Sequence, residues 1–172
     1  MSRTVEGSVR RFGDWVDTDT IIASFRKKES IDPHVLKEFI FESVDQGFAA
    51  SVTPGEILVA GQAFGCGSAM EVAVTVLQAA GFAAVVAHDF SRTYLRNAIN
   101  NGFLPVECDT SSIEEGDLLR IDFDRERVQV TNLTRERIIE ARTWPPFLLA
   151  ILDAGGLVNY LRDGGGFAVT RP

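Results

Sequence analysis

The sequence predicts an α/β fold built on a mixed, partly parallel sheet. Two wholly apolar runs, Ile57 to Ala60 and Ala83 to Ala87, bracket a stretch from Met70 to Ala80 whose apolar residues recur on a helical period. Apolar runs of that length suit strands covered on both faces, so the unit reads as strand, crossover helix and parallel strand. Beyond Asp117 the pattern changes to short alternating segments, DLLRIDF, RVQVTNL and RIIEART, which read as antiparallel strands with one face in the core.

In chain order, Val5 to Phe12 reads as the first strand. GDWVDTDTII supplies a polar turn and then the short apolar run Ile21-Ile22-Ala23, and FRKKES is a loop. Asp32-Pro33 opens a helix, with aspartate as N-cap and proline in the first turn; Val35, Leu36, Phe39 and Ile40 form its inward face. Thr53-Pro54-Gly55 is a turn into the strand at Ile57. The helix from Met70 stops at Gly81, a residue free to take the left-handed C-cap conformation. Phe90 to Asn101 reads as a second helix ending at Gly102, and Leu104 to Val106 as a third short strand. PPFLLAILDAGGLVNYLRD reads as one or two closing helices. Residues 1–163 are taken as one domain and residues 164–172, which contain a glycine triplet, as a loose tail.

With 172 residues and 45% hydrophobic content, the chain can bury one substantial core. Its net charge of -7 carries no basic stripe longer than Arg26-Lys27-Lys28, which argues against nucleic acid as partner. No segment approaches the roughly 18 uninterrupted apolar residues of a membrane span, and the N-terminus has no apolar signal region, so the chain reads as cytoplasmic. Cys66 and Cys108 form no CxxC and no repeated spacing, and so predict neither a disulfide framework nor a self-contained metal site.

The most informative stretch is GQAFGCGSAMEVAV, residues 61 to 74. Gly65 and Gly67 permit positive φ and close backbone approach. Ser68 stands where an N-cap belongs, and Glu71 completes a Ser-x-x-Glu capping box. That reading accounts for Ser68 with no function at all. The same geometry also offers free N–H groups and the positive end of a helix dipole to an anion such as a carboxylate, and the two readings are compatible. Phosphate motifs are excluded: GxxxxGK[ST] is absent, and a GxGxxG frame from Gly65 puts Met70 where the third glycine belongs.

GDWVDTDTII, VAGQAFGCGS, AVVAHDFSRTYLRNAINNGFLP and LDAGGLVNYL, in that order from about residue 7 to about residue 162, resemble the small subunits of 3-isopropylmalate dehydratase and their homoaconitase relatives. The resemblance implies the aconitase swivelling domain, a β/β/α three-layer fold made as a separate chain. It implies a large-subunit partner carrying a [4Fe-4S] cluster on three cysteines. It further implies a hydro-lyase reaction on a small carboxylate substrate, a 2-hydroxy di- or tricarboxylate, and a place in leucine or related amino-acid biosynthesis. For the isolated chain, a homo-oligomer stays open.

The family pattern at the turn, Gly-x-Gly-Ser-Ser-Arg-Glu-His, falls on Gly65, Cys66, Gly67, Ser68, Ala69, Met70, Glu71 and Val72. Ser68 matches the family's proton-abstracting serine, whose hydroxyl needs N–H groups, dipole and cations to ionise near neutral pH. Gly67, Ala69 and Met70 fall on substrate-contacting positions, but Met70 replaces the arginine that pairs with a substrate carboxylate, and Ala69 and Val72 replace a serine and a histidine. Three explanations stay open. Another cation from the Phe25-Arg26-Lys27-Lys28 loop, which in the family lies over the substrate, takes over; or the substrate differs, lacking that carboxylate or carrying an apolar group; or the chain has become a non-catalytic scaffold or regulator.

Other residues point elsewhere less strongly. Asp17 and Asp19 read as a capped turn before a cation site. Cys66 at a helix start, with His34 or His88, is a rival nucleophile. Arg92 and Arg96 lie four apart on one helix face, where they can meet an acidic group or solvent.

Overall fold

The computed structural model describes residues 3–124 and 127–164 of the chain. The elements run β1 (Arg3–Arg11), α1 (Thr18–Ile21), α2 (Pro33–Leu36), α3 (Phe48–Ser51), β2 (Ile57–Val59), α4 (Val72–Ala80), β3 (Ala84–Ala87), α5 (Arg92–Asn100), β4 (Leu104–Glu107), β5 (Leu118–Phe123), β6 (Val128–Asn132), β7 (Arg137–Glu140), α6 (Pro146–Asp153) and α7 (Leu157–Arg162).

The strands form one sheet in the order β4-β3-β2-β1-β5-β6-β7. β1 is the switch point. It pairs parallel with β2, Arg11 opposite Val59, and antiparallel with β5, Val5 opposite Ile121. The two edges of the sheet approach one another at one end, where Cys108 bridges Ala141 and the Arg142 N–H donates to the Glu107 carbonyl at 2.8 Å. The Trp144 indole, buried there, donates to the Pro105 carbonyl at 3.2 Å. The sheet is thereby curled into a half-barrel, and the expected three-layer α/β fold with a mixed sheet is the one observed.

Alternation along the parallel strands divides the core. Leu58, Ala60, Val85 and Ala87 face one cluster with Ile21, Leu36, Phe41, Leu77 and Tyr94. Ile57, Val59, Ala84 and Val86 face the other, inside the curl, with Leu119, Ile121, Val130 and Leu149. Both faces of β2 and β3 are therefore dry, which is why their sequences are unbroken apolar runs. Gly81 takes φ 100° and closes α4, its N–H reaching the Leu77 and Gln78 carbonyls.

Several boundaries differ from the sequence expectation. β1 spans Arg3–Arg11 rather than Val5 to Phe12, and β4 extends to Glu107. VDTDT is more than a turn: Asp17 caps α1 by accepting from the Thr20 N–H at 2.6 Å. The helix expected through Ile40 is one α-turn, α2, followed by a 3-10 turn over Lys37–Phe39. The changed pitch turns Val35 outward, half exposed, while Leu36 and Ile40 stay buried. α5 begins at Arg92 with Ser91 as cap, and α6 and α7 close the described residues. Of the tail expected from residue 164, residues 165–172 lie outside the described residues.

Candidate active site

The turn between β2 and α4 is held on both sides. On one side, residues 15 to 18 run beside it in a short parallel ladder. The Trp15 N–H donates to the Gln62 carbonyl at 2.8 Å, the Gly65 N–H to Val16 at 2.8 Å, and the Thr18 N–H to Cys66 at 2.9 Å. On the other side, Ser91 Oγ donates to the Gly65 carbonyl at 2.6 Å, and the Asp89 carboxylate accepts the Ala63 N–H at 2.8 Å. Gly65 sits at φ 74° with the Tyr94 ring where a Cβ would be, its Cγ 2.2 Å from that point. Gly67 is required by conformation alone: φ is 89°, and the nearest atom to an added Cβ is 3.5 Å away.

Ser68 is not the cap that its sequence position predicts. α4 starts at Val72, Glu71 occupies the cap position with helical dihedrals, and no side chain caps the helix. The Glu71 carboxylate instead accepts from Asn101 Nδ2 at 2.9 Å, so the capping box does not form. The cause is tertiary: Thr18 Oγ1 donates to the Ser68 carbonyl at 2.9 Å, and residues 67 to 70 stay non-helical before α4 begins. Ser68 is left exposed, its hydroxyl without a described partner. Among the described residues, the backbone N–H groups of residues 67 to 71 meet no protein acceptor. The turn thus presents a free hydroxyl amid free amides at the positive end of α4, an arrangement suited to an anion or a developing alkoxide.

Met70 stands differently from the residues before it. Its side chain is 4% exposed and packed in the core, with its sulfur 3.9 Å from Ser24 Oγ, so only its backbone faces the opening. Gly67 and Ala69 are exposed beside Ser68.

The segment after α1 forms a 3-10 turn, Ser24–Lys28. Asp19 organises its start, accepting the Ser24 N–H at 2.8 Å and the Ser24 hydroxyl. Those bonds, with Lys27 nearby, hold the Asp19 carboxyl below its ordinary range despite some burial. Arg26 is wholly committed within the chain. It meets Glu42 through Nε and Nη2 at 2.9 and 2.6 Å, meets Glu29 through Nη1 at 2.9 Å, and lies 3.8 Å over the Phe39 ring centroid. The bond to Glu42, then that to Glu29, pushes the guanidinium pKa up, and Arg26 in turn holds the Glu42 carboxyl down. Lys27 and Lys28 are exposed and form no described ion pair.

The rival candidates are placed as follows. Burial, and then Asp17, raises the Cys66 thiol pKa, which is the opposite of the expected activation at a helix start. Cys108 is buried and pushed up to about 12. Asp17 and Asp19 are occupied as local acceptors. His34 and His88 are exposed on different elements. Arg92 and Arg96 border an apolar groove between α5 and α6. Among the described residues no three His, Cys, Asp or Glu side chains converge as metal ligands, so those residues do not fit an iron–sulfur cluster. Thr18, Ser24, Glu42 and Asn101 were not singled out from sequence, and only the Asp-x-Asp cap beside Thr18 gave any signal.

The family model for the aconitase C-terminal domain matches residues 22–111, which include the 3-10 turn and the Ser68 loop. The chain is 40% identical to the methanogen homoaconitase small subunit of Methanocaldococcus jannaschii, over 92% of this chain and 91% of that one. The chain belongs to the aconitase C-terminal domain family. Within that family it is also 40% identical to the 2,3-dimethylmalate dehydratase small subunit of Eubacterium barkeri, over 91% of this chain and 95% of that one. The crystal structure of a 3-isopropylmalate dehydratase from Methanocaldococcus jannaschii superposes with a TM-score of 0.87 at 38% identity, covering 94% of this chain and 95% of the other. Family members named for three different acids thus stand at nearly equal distance, so identity alone does not rank substrates. No helix among the described residues is long and apolar enough to cross a membrane.

Proposed function

We propose that the chain is the small subunit of a heteromeric cytoplasmic hydro-lyase of the isopropylmalate dehydratase type. Its substrate is a small 2-hydroxy di- or tricarboxylate, and its partner is a large subunit that holds the [4Fe-4S] cluster. The cluster supplies a Lewis acid for the substrate hydroxyl when that subunit is docked. The observation that carries the proposal is the exposed, unpartnered Ser68 among free amides at the start of α4. Relatives named as dehydratase and homoaconitase small subunits, matched over nine-tenths of the chain, support it.

In this reading Ser68 Oγ takes the proton from the carbon next to a carboxylate, the C–H electron pair becomes the double bond, and hydroxide leaves the neighbouring carbon. Rehydration runs the same steps backwards with the two carbons exchanged. The amides of Gly67, Ala69 and Met70 receive the carboxylate and lower the cost of the alkoxide. Lys27 and Lys28 supply the cation that Met70 no longer offers, and Arg26 acts by holding their turn in place. The buried Met70 side chain backs the turn from the core.

The test is reconstitution with an isopropylmalate dehydratase-type large subunit from the same organism, kept anaerobic. Dehydration is followed on 2-isopropylmalate, 2,3-dimethylmalate, citramalate and homocitrate. Turnover of at least one acid, dependent on both chains, is expected. A stable complex inert towards the whole panel would favour a regulatory or scaffold subunit.

A further inference from the structure

Trp15 is the most conspicuous surface feature of the described chain. Its side chain is 67% exposed and its backbone sits at φ 59°, a left-handed conformation that bulky side chains rarely adopt. Ala63, beside it across the ladder, is also left-handed at φ 54°. The Trp15 backbone is held by its N–H bond to the Gln62 carbonyl, but among the described residues the indole makes no ring contact or hydrogen bond; the other tryptophan, Trp144, is buried and bonded. Strain kept at an exposed aromatic points outward, to something the indole meets.

We infer that Trp15 is an anchor onto the large subunit, inserted into an apolar pocket of that chain when it closes over Ser68. The inference rests on the heteromeric reading. Its occupant follows from the ladder: residues 15 to 18 and 62 to 68 are bonded step by step, so Trp15 is rigidly coupled to the Ser68 loop. Trp15 stands at one end of that ladder, bonded to Gln62, and Thr18 at the other end holds the Ser68 carbonyl. A protein surface that covers Ser68 meets the exposed indole at the other end of the same ladder. Phe25, half exposed on the 3-10 turn whose Ser24 meets Met70, gives the same surface a second apolar contact. A tryptophan that becomes buried on docking is among the residue types that most often dominate binding.

The experiment compares wild type, Trp15→Ala, Trp15→Phe and Trp15→Gly against the purified large subunit, by calorimetric titration and by steady-state kinetics at saturating large subunit. Trp15→Ala weakens association on the order of tenfold or more, Trp15→Phe restores much of it, and kcat of the saturated complex is unchanged. Trp15→Gly is the control for fold: glycine suits φ 59°, so the isolated variant melts at or above the wild-type temperature while association weakens as for alanine. Unchanged affinity of Trp15→Ala for the large subunit overturns the anchor and leaves the heteromeric reading intact. Failure of wild type to associate at all overturns both.

Discussion

The Arg26 guanidinium meets the Glu42 carboxylate at two points, 2.9 and 2.6 Å, while stacked over Phe39. The three side chains join the Ser24–Lys28 turn to the segment after α2 and fix where Lys27 and Lys28 stand. Glu42→Gln keeps the size and removes the charge. The melting temperature falls only slightly, because ion pairs within reach of water contribute little. Substrate KM in the reconstituted enzyme rises roughly three- to tenfold with a smaller change in kcat, because a loosened cation loses binding more than chemistry. Steady-state kinetics beside a thermal melt check this.

Gly65→Ala tests the packing under the loop. Its Cβ would lie 2.2 Å from Tyr94 Cγ, at a φ of 74° that alanine resists. Tyr94 is fully buried between Phe64 and Phe90 and has nowhere to go. Denaturant unfolding is expected to show a loss on the order of 3 kcal/mol.

Thr18→Val preserves shape and removes the donor to the Ser68 carbonyl. With its tether gone, residues 67 to 70 are freed toward the helix. Stability falls by about 1 kcal/mol, and kcat of the complex falls roughly tenfold as the hydroxyl leaves its position. Thr18→Ser, which keeps the donor, recovers most of the rate.

Asp117 sets an acid limit on the fold. Burial raises its carboxyl pKa, but the Glu114 N–H, Arg135 and Asn132 outweigh burial and hold it below the ordinary range. The folded-state value therefore lies below that of an unfolded aspartate, about 3.9. Its contribution is complete above about pH 4 and is lost as the pH falls through the lower folded value. Asp117→Asn is less stable at neutral pH, and its stability depends less steeply on pH below about 4 than that of wild type. Urea midpoints across that range measure it.

The sheet was legible because burial on both faces writes itself as uninterrupted apolar sequence, as at β2 and β3, and burial on one face as alternation, as at β5 and β6. Caps made by neighbours in sequence, such as Asp17 and Asp32, were legible for the same local reason. Ser68 was placed correctly as to loop and incorrectly as to local role, because Thr18, fifty residues earlier, competes for its backbone. Arg26 read as a free cation because Glu42, sixteen residues on, is brought to it only by the turn at α2. Val35 read as inward because a 3.6 period was assumed where the chain tightens to a 3-10 turn.

The central claim is that the Ser68 hydroxyl moves the substrate proton. Its most direct measurement is kcat of the Ser68→Ala small subunit in the assembled complex, with assembly and cluster content confirmed on the same sample. The account predicts a fall on the order of a thousandfold or more, with KM changed far less. Turnover within twofold of wild type, in a complex that assembles normally, would contradict it.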